Sequence, residues 1–230
     1  MTAVVEHMRR HALAWAMASL LLLVAFPQID LGISGLFYSP EEGFFLKGHW
    51  LFAFILKGMP PILLVFTLLL LVWGFGGDWL RWRFPGLHLL PEMAPRAAAF
   101  LLSSLILGPG LLVNWLLKEH WGRARPSQII EFGGTAHYTP PLMMADQCVS
   151  NCSFSSGHGS LGFWVTAFAL LAPPRWRPYA MAAALAFGCV VGFARIAMGG
   201  HFFSDTLFSA YAVVGLNLLL WRWIVERTKT

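Results

Sequence analysis

Apolar runs long enough to cross a bilayer recur along this chain, and they leave it few folds to choose from. A spanning helix needs about 20 mostly apolar residues, because the hydrocarbon core offers no water to satisfy a bare backbone. The runs predict six spans: His11 to Phe26, Trp50 to Phe75 with an interruption at Pro60-Pro61, Ala97 to Leu117, Gly159 to Ala172, Tyr179 to Met198, and Phe203 to Ile224. The fourth is short for a bilayer, so it is expected to begin inside the Ser155–Gly159 turn or to sit in a thinned region. Gly108-Pro109-Gly110 predicts a kink in the third. Composition agrees, since 57% hydrophobic against 12% charged residues is too apolar for a soluble domain of 230 residues. The expected fold class is all-α: an integral membrane bundle of six transmembrane helices, forming one domain over residues 1–230. The first run follows Arg9 and Arg10 but has no clear small-residue cleavage site, so it reads as a retained signal anchor.

The basic residues set the orientation. Arg9 and Arg10 precede span one, Arg81, Arg83 and Arg96 lie between spans two and three, Arg175 and Arg177 between four and five, and Arg222, Arg227 and Lys229 after six. Six crossings put these places on one side, which the positive-inside rule makes cytoplasmic, with both termini there. Most of the basic residues behind the net charge of +5 belong to these short segments, so nucleic-acid binding is not expected. The opposite side receives loops 27–49, 118–158 and 198–203. Loop 118–158 is too long for a plain connector and is expected to carry function. Cys189, inside span five, is expected to be a small buried apolar residue. Cys148 and Cys152 lie four apart in the outer loop, where an oxidising compartment favours a disulfide; a metal site is the alternative, with no second pair to support it.

Three outer segments hold the polar residues that point to chemistry. They are Lys118-Glu-His-Trp-Gly-Arg-Ala-Arg125-Pro126, Ser155-Ser156-Gly157-His158, and Ala194-Arg195 followed by His201 and Asp205. Lys118, Arg125 and Arg195 are cations at span ends, and guanidinium forks match phosphate oxygens. Ser156 offers a hydroxyl, and Gly157 lets backbone amides approach an anion at a helix N-terminus. His201 and Asp205 are four apart, so on a helix the carboxylate can accept the imidazole's N–H and leave the other nitrogen free to attack. His158 supplies a second imidazole for acid and base work. Taken singly, each residue has a plainer explanation: interfacial anchor, solvated histidine, turn, or surface helix pair. Their coincidence on one face favours chemistry.

The segments resemble the three-part signature of the type 2 phosphatidic acid phosphatase superfamily, K-x6-R-P, P-S-G-H and S-R-x5-H-x3-D. Lys118, Arg125 and Pro126 match the first part, Ser156, Gly157 and His158 the second, and Arg195, His201 and Asp205 the third. Ser155 stands where the pattern has proline, and Ala194 where it has serine; neither departure deletes a charged or acid/base group. The resemblance implies that His201 attacks phosphorus, that Asp205 orients it, that His158 protonates the leaving oxygen, and that Lys118, Arg125, Ser156, Gly157 and Arg195 hold the phosphate. It implies no metal and no other cofactor. A finer resemblance, carried by G-R-A-R-P, C-S-F-S-S-G-H and the paired cysteines, runs to bacterial lipid A phosphatases, which implies a bacterial inner membrane and a site facing the periplasm.

The shared motifs do not encode the head group, so lipid A, undecaprenyl diphosphate, phosphatidylglycerol phosphate and phosphatidic acid all remain open as the lipid partner. A phosphotransferase with the same phosphohistidine is the nearest rival, and a non-catalytic transporter or scaffold the more distant one. Arg123 is a candidate head-group contact or simply a solvated cation, and His120 a weaker candidate. Lys57, inside span two near its outer end, is a candidate contact for a second phosphate or a sugar. Asp146 and Glu131 are expected to be solvated.

Overall fold

The structure, a computed structural model, describes residues 11–84, 86–87 and 92–227. Arg9, Arg10 and Lys229, used above to orient the chain, lie outside the described residues. The protein is mostly helical. Helix α1 (Ala12–Ala25) is followed after Pro27 by α2 (Gln28–Gly35), turned through 82°. A two-residue antiparallel hairpin follows, with β1 (Tyr38–Ser39) pairing Tyr38 with Phe44 of β2 (Gly43–Phe44). The fold is otherwise helical, and loop 27–49 carries this short hairpin together with α2. Helix α3 (Trp50–Lys57) runs through Gly58 into α4 (Met59–Arg83). The expected interruption is a break at Gly58 between the two helices, which together still make one apolar span, and Pro60 and Pro61 follow closely after it. They sit in the first turn of α4, where a missing N–H costs nothing.

Helix α5 (Pro95–Leu105) continues as a π-helical stretch over Ile106–Leu117 and a last turn to His120. Pro109, which lacks an N–H, lies in the wide stretch, and Asn114 donates its amide to the Pro109 carbonyl at 2.7 Å. The expected kink is thus taken up as a widened helix. The remaining helices are α6 (Gly157–Trp164), α7 (Thr166–Leu171), α8 (Arg177–Ala197) and α9 (Phe203–Trp221), the last extended to Glu226. Helices α5, α6, α7 and α9 meet around Phe100, Leu101, Val113, Phe163, Trp164 and Val213. Two side-chain hydrogen bonds cross this core: Trp164 Nε1 donates to Ser104 Oγ at 2.8 Å, and Asn217 Nδ2 to Thr166 Oγ1 at 2.9 Å.

Among the described residues, four helices are long and apolar enough to cross a membrane: Trp50–Arg83, Pro95–His120, Arg177–Ala197 and Phe203–Glu226. The bent pair α1–α2 makes a fifth if counted as one span, and Gly157–Leu171 is apolar but shorter. Length alone thus supports four or five of the six expected spans. Cys189 is not buried. It lies on the exposed side of α8, because Ala184, Gly188, Val191 and Gly192 form the packed face.

Candidate active site

The turn between α8 and α9 brings Arg195, His201 and Asp205 together. Gly199 has φ of +67°, and the Gly200 and His201 N–H groups both return to the Arg195 carbonyl, at 2.9 and 3.3 Å. A left-handed residue ending a helix in this way favours glycine. At Gly200 a Cβ would collide with the Arg195 guanidinium, which therefore lies against the turn.

His201 is fully buried, and its Nδ1 sits 2.7 Å from the Ser153 carbonyl. A carbonyl only accepts, so Nδ1 carries the proton and Nε2 keeps its lone pair. That Nε2 has no hydrogen-bond partner among the described residues. The expected direct bond to Asp205 is corrected, since the carboxylate oxygen stands 3.7 Å from Nδ1. Asp205 is instead engaged by Ser153 Oγ at 2.5 Å, the Phe202 N–H at 2.9 Å and Arg123 at 2.5 Å. Ser153 joins the two: its hydroxyl donates to Asp205 while its carbonyl takes the imidazole proton.

Burial pushes the His201 imidazole down to about 3, with the Arg195 and Lys118 charges adding to the push and Asp205 opposing it. The ring is therefore neutral at neutral pH, as a nucleophile requires. Below about 6.5 the unfolded chain takes up a proton that the folded protein refuses until about 3. Stability contributed here is whole above that window and declines as pH falls through it. Thermal midpoints in detergent at pH 7 and pH 5 test this: the wild type is expected to lose more than His201→Gln, and equal losses would mean that the imidazole takes its proton at the ordinary pH.

The second segment faces this turn. Ser156 caps α6 by accepting the Gly159 N–H at 3.2 Å, which leaves its hydroxyl proton free to donate. At Gly157 a Cβ would meet the Asn114 side-chain oxygen and come within 3.2 Å of Lys118 Nζ, so these two side chains lie directly against the glycine. The half-buried His158 contacts the Leu56 carbonyl through Nε2 at 3.1 Å, which requires the proton on Nε2 and leaves Nδ1 available. Lys57 is exposed, one residue from that contact. Arg125 donates to the Asn151 carbonyl at 2.7 Å. Arg195 is 6% exposed, and its Nε lacks a partner among the described residues. Ser155, at the proline position of the pattern, is buried with its hydroxyl likewise unpartnered.

Arg123 differs from both expectations held for it. Its side chain is fully buried, neither solvated nor turned toward a head group. It donates to Asp205, to Asp30 at 2.8 Å, to Ser204 Oγ at 2.8 Å and to the Thr139 carbonyl at 2.9 Å, and lies over the Phe202 ring at 4.3 Å. Burial works against its charge, but the Asp205 and Asp30 carboxylates outweigh that and hold the guanidinium above its usual value. His120 is exposed and bonds the Trp115 and Leu116 carbonyls of its own helix. Asp146 and Glu131 are exposed, as expected. The structure pairs Cys148 with Cys152, and the loop they close is held by the Cys152 N–H on the Lys118 carbonyl at 3.2 Å and the Ser153 N–H on the Arg123 carbonyl at 2.8 Å.

Asp30, Ser153 and Ser204 were not expected at the site. Asp30 alone left a trace in the sequence, as a single acid in the apolar stretch after Pro27.

The PAP2 superfamily model matches residues 97–229. A lipid A 4'-phosphatase of Francisella tularensis subsp. novicida (strain U112) is 32% identical over 214 residues, covering 89% of this chain and 88% of that protein. A lipid A 4'-phosphatase of Rhizobium leguminosarum is 45% identical over 107 residues, 46% of each chain. The crystal structure of a transmembrane PAP2 type phosphatidylglycerolphosphate phosphatase from Bacillus subtilis superposes with a TM-score of 0.54 at 18% identity, over 94% of this chain and 96% of that one, and so shares the fold. With the family model covering residues 97–229 and a relative aligned along most of both chains, this protein belongs to the PAP2 superfamily.

Proposed function

We propose that this membrane hydrolase removes phosphate from a lipid through a phosphohistidine on His201, with lipid A the favoured substrate. The observation that carries the reading is the state of His201: Nδ1–H is fixed by the Ser153 carbonyl and Nε2 is unpartnered beside Arg195. Nε2 forms a bond to phosphorus while the bond from phosphorus to the lipid oxygen breaks, and His158, entering the step with a second proton on Nδ1, gives that proton to the oxygen and keeps Nε2–H on the Leu56 carbonyl. Water, losing a proton to His158, then displaces the histidine and releases inorganic phosphate. Lys118, Arg125, Arg195, the Ser156 hydroxyl and the amide of Gly157 hold the phosphate oxygens and stabilise the charge that builds on them. In the same reading six spans cross a bacterial inner membrane, both termini are cytoplasmic and the site faces the periplasm.

The preference for lipid A is supported by the name of the relative aligned along most of this chain. A second support is a cleft of about 530 Å³ lined by Tyr38, Glu42, Phe44, Lys47 and Ser127, two residues from Arg125. Aromatic faces with a cation and an acid suit a sugar head group. Lys57, exposed and one residue from the Leu56 carbonyl that His158 contacts, would meet a second phosphate or sugar.

The test is phosphate release from a panel of lipid phosphates in detergent with EDTA present. The expected result is release from lipid A at a higher kcat/KM than from phosphatidic acid, with Lys57→Met raising KM on lipid A alone. Transfer of labelled phosphate to an acceptor lipid without free phosphate would make the protein a phosphotransferase. Loss of release in EDTA would overturn the metal-free chemistry.

A further inference from the structure

We infer that Asp30 is a positioning residue for this reaction, acting through Arg123 and Asp205 on His201. The inference rests on the phosphohistidine reading above. Asp30 lies on α2, in a segment outside residues 97–229, and the motifs give it no role. Yet Asp30, Arg123, Asp205 and His201 are all 0% exposed, and they form one continuous set. One Asp30 oxygen accepts the Ser204 N–H at 2.9 Å; the other accepts the Ser204 hydroxyl at 2.5 Å and Arg123 at 2.8 Å. Burial pushes the Asp30 carboxyl up and the Arg123 charge opposes it; three donors on two oxygens are the pattern an ionised carboxylate accepts, and on that geometry Asp30 is read as ionised. The other terminal nitrogen of Arg123 goes to Asp205 at 2.5 Å. Tyr138, whose ring lies near the same guanidinium, donates its hydroxyl to the Pro27 carbonyl at 3.2 Å and so ties the α1–α2 bend to the outer loop.

Two carboxylates around one guanidinium leave one net negative charge next to a neutral imidazole. When Nε2 bonds to phosphorus, the ring gains positive charge. Asp205 stabilises that charge only as far as Arg123 has not already neutralised it. Asp30 shares the guanidinium and so leaves Asp205 its negative field at the nucleophile. It also fixes Arg123, hence the carboxylate that grips Ser153, hence the carbonyl that holds the ring. Fold stability alone is a poor account of this set, because desolvating three charges costs as much as their pairing returns.

The test uses the full chain in detergent, with lipid A and phosphatidic acid as substrates. Asp30→Asn keeps the shape and removes the charge; Ser204→Ala removes the hydroxyl shared by Asp30 and Arg123. The expected result for Asp30→Asn is a kcat lower by about tenfold or more on both lipids with KM within about threefold, and label arriving on the protein in quenched single turnovers slowed by the same factor. Ser204→Ala shifts kcat in the same direction by less. A looser fold would lower the fraction of active protein without slowing the single turnover of what remains. Wild-type kcat in Asp30→Asn, or a raised KM with kcat unchanged, overturns the inference. If Asp30→Asn does not fold, wild-type kcat in Ser204→Ala overturns it instead. A wild type that releases no phosphate from any lipid overturns the lipid-phosphatase reading, and this inference with it.

Discussion

His201→Ala is expected to lower kcat/KM for lipid phosphate release by about a thousandfold or more, and to abolish acid-labile phosphate on the protein. The substitution removes the atom that bonds to phosphorus, and no described neighbour takes its place. His158 has its Nε2 turned to the Leu56 carbonyl, and Ser153 is committed to Asp205. The fold should survive, because Asp205 keeps Arg123, the Ser153 hydroxyl and the Phe202 N–H. A phosphate-binding fault would raise KM; loss of the nucleophile lowers kcat. His158→Ala separates the two imidazoles. It should slow the lipid reaction by about 10² to 10⁴. It should slow the first step on p-nitrophenyl phosphate far less, because that leaving group departs without a proton. Equal phosphate release by His201→Ala and the wild type would place the nucleophile elsewhere.

The sequence was legible where chemistry is local. Lys118 to Pro126, Ser156 to His158 and Arg195 to Asp205 are short segments whose charges stand out against apolar spans, and the structure brings them to one site. Four or five of the six expected spans were legible for the same reason, since a long apolar run has few alternatives. What escaped depends on contacts far apart in the chain. Spacing four apart on a helix made Asp205 the natural partner of His201, yet the carbonyl of Ser153 takes the proton-bearing nitrogen. No periodicity announces a loop carbonyl folded back across about 50 residues. Cys189 was misplaced because an apolar residue in a membrane helix suits lipid as well as it suits the core. Arg123 was misplaced because its two acids come from α2 and α9 and cannot be seen beside it in the sequence.

That misplacement gives the second large effect. Arg123→Met is expected to destabilise the protein by about 3–5 kcal/mol, the usual result of breaking a buried ion pair from one side. The methionine fills much of the volume but leaves Asp30 and Asp205 buried and facing each other without the cation between them. Adding Asp30→Asn to Arg123→Met should recover part of the loss, because the amide no longer repels Asp205 and can still engage the Ser204 N–H and hydroxyl. Two neighbours that share a partner are not additive, so the double variant should lie above the sum of the single changes. Thermal midpoints of the four proteins in one detergent complete the cycle. A cation on the surface that touched only the lipid head group would behave differently: its loss would raise KM and leave the midpoint where it was. A midpoint unmoved in Arg123→Met would therefore return Arg123 to the head group and take the buried bridge between Asp30 and Asp205 with it.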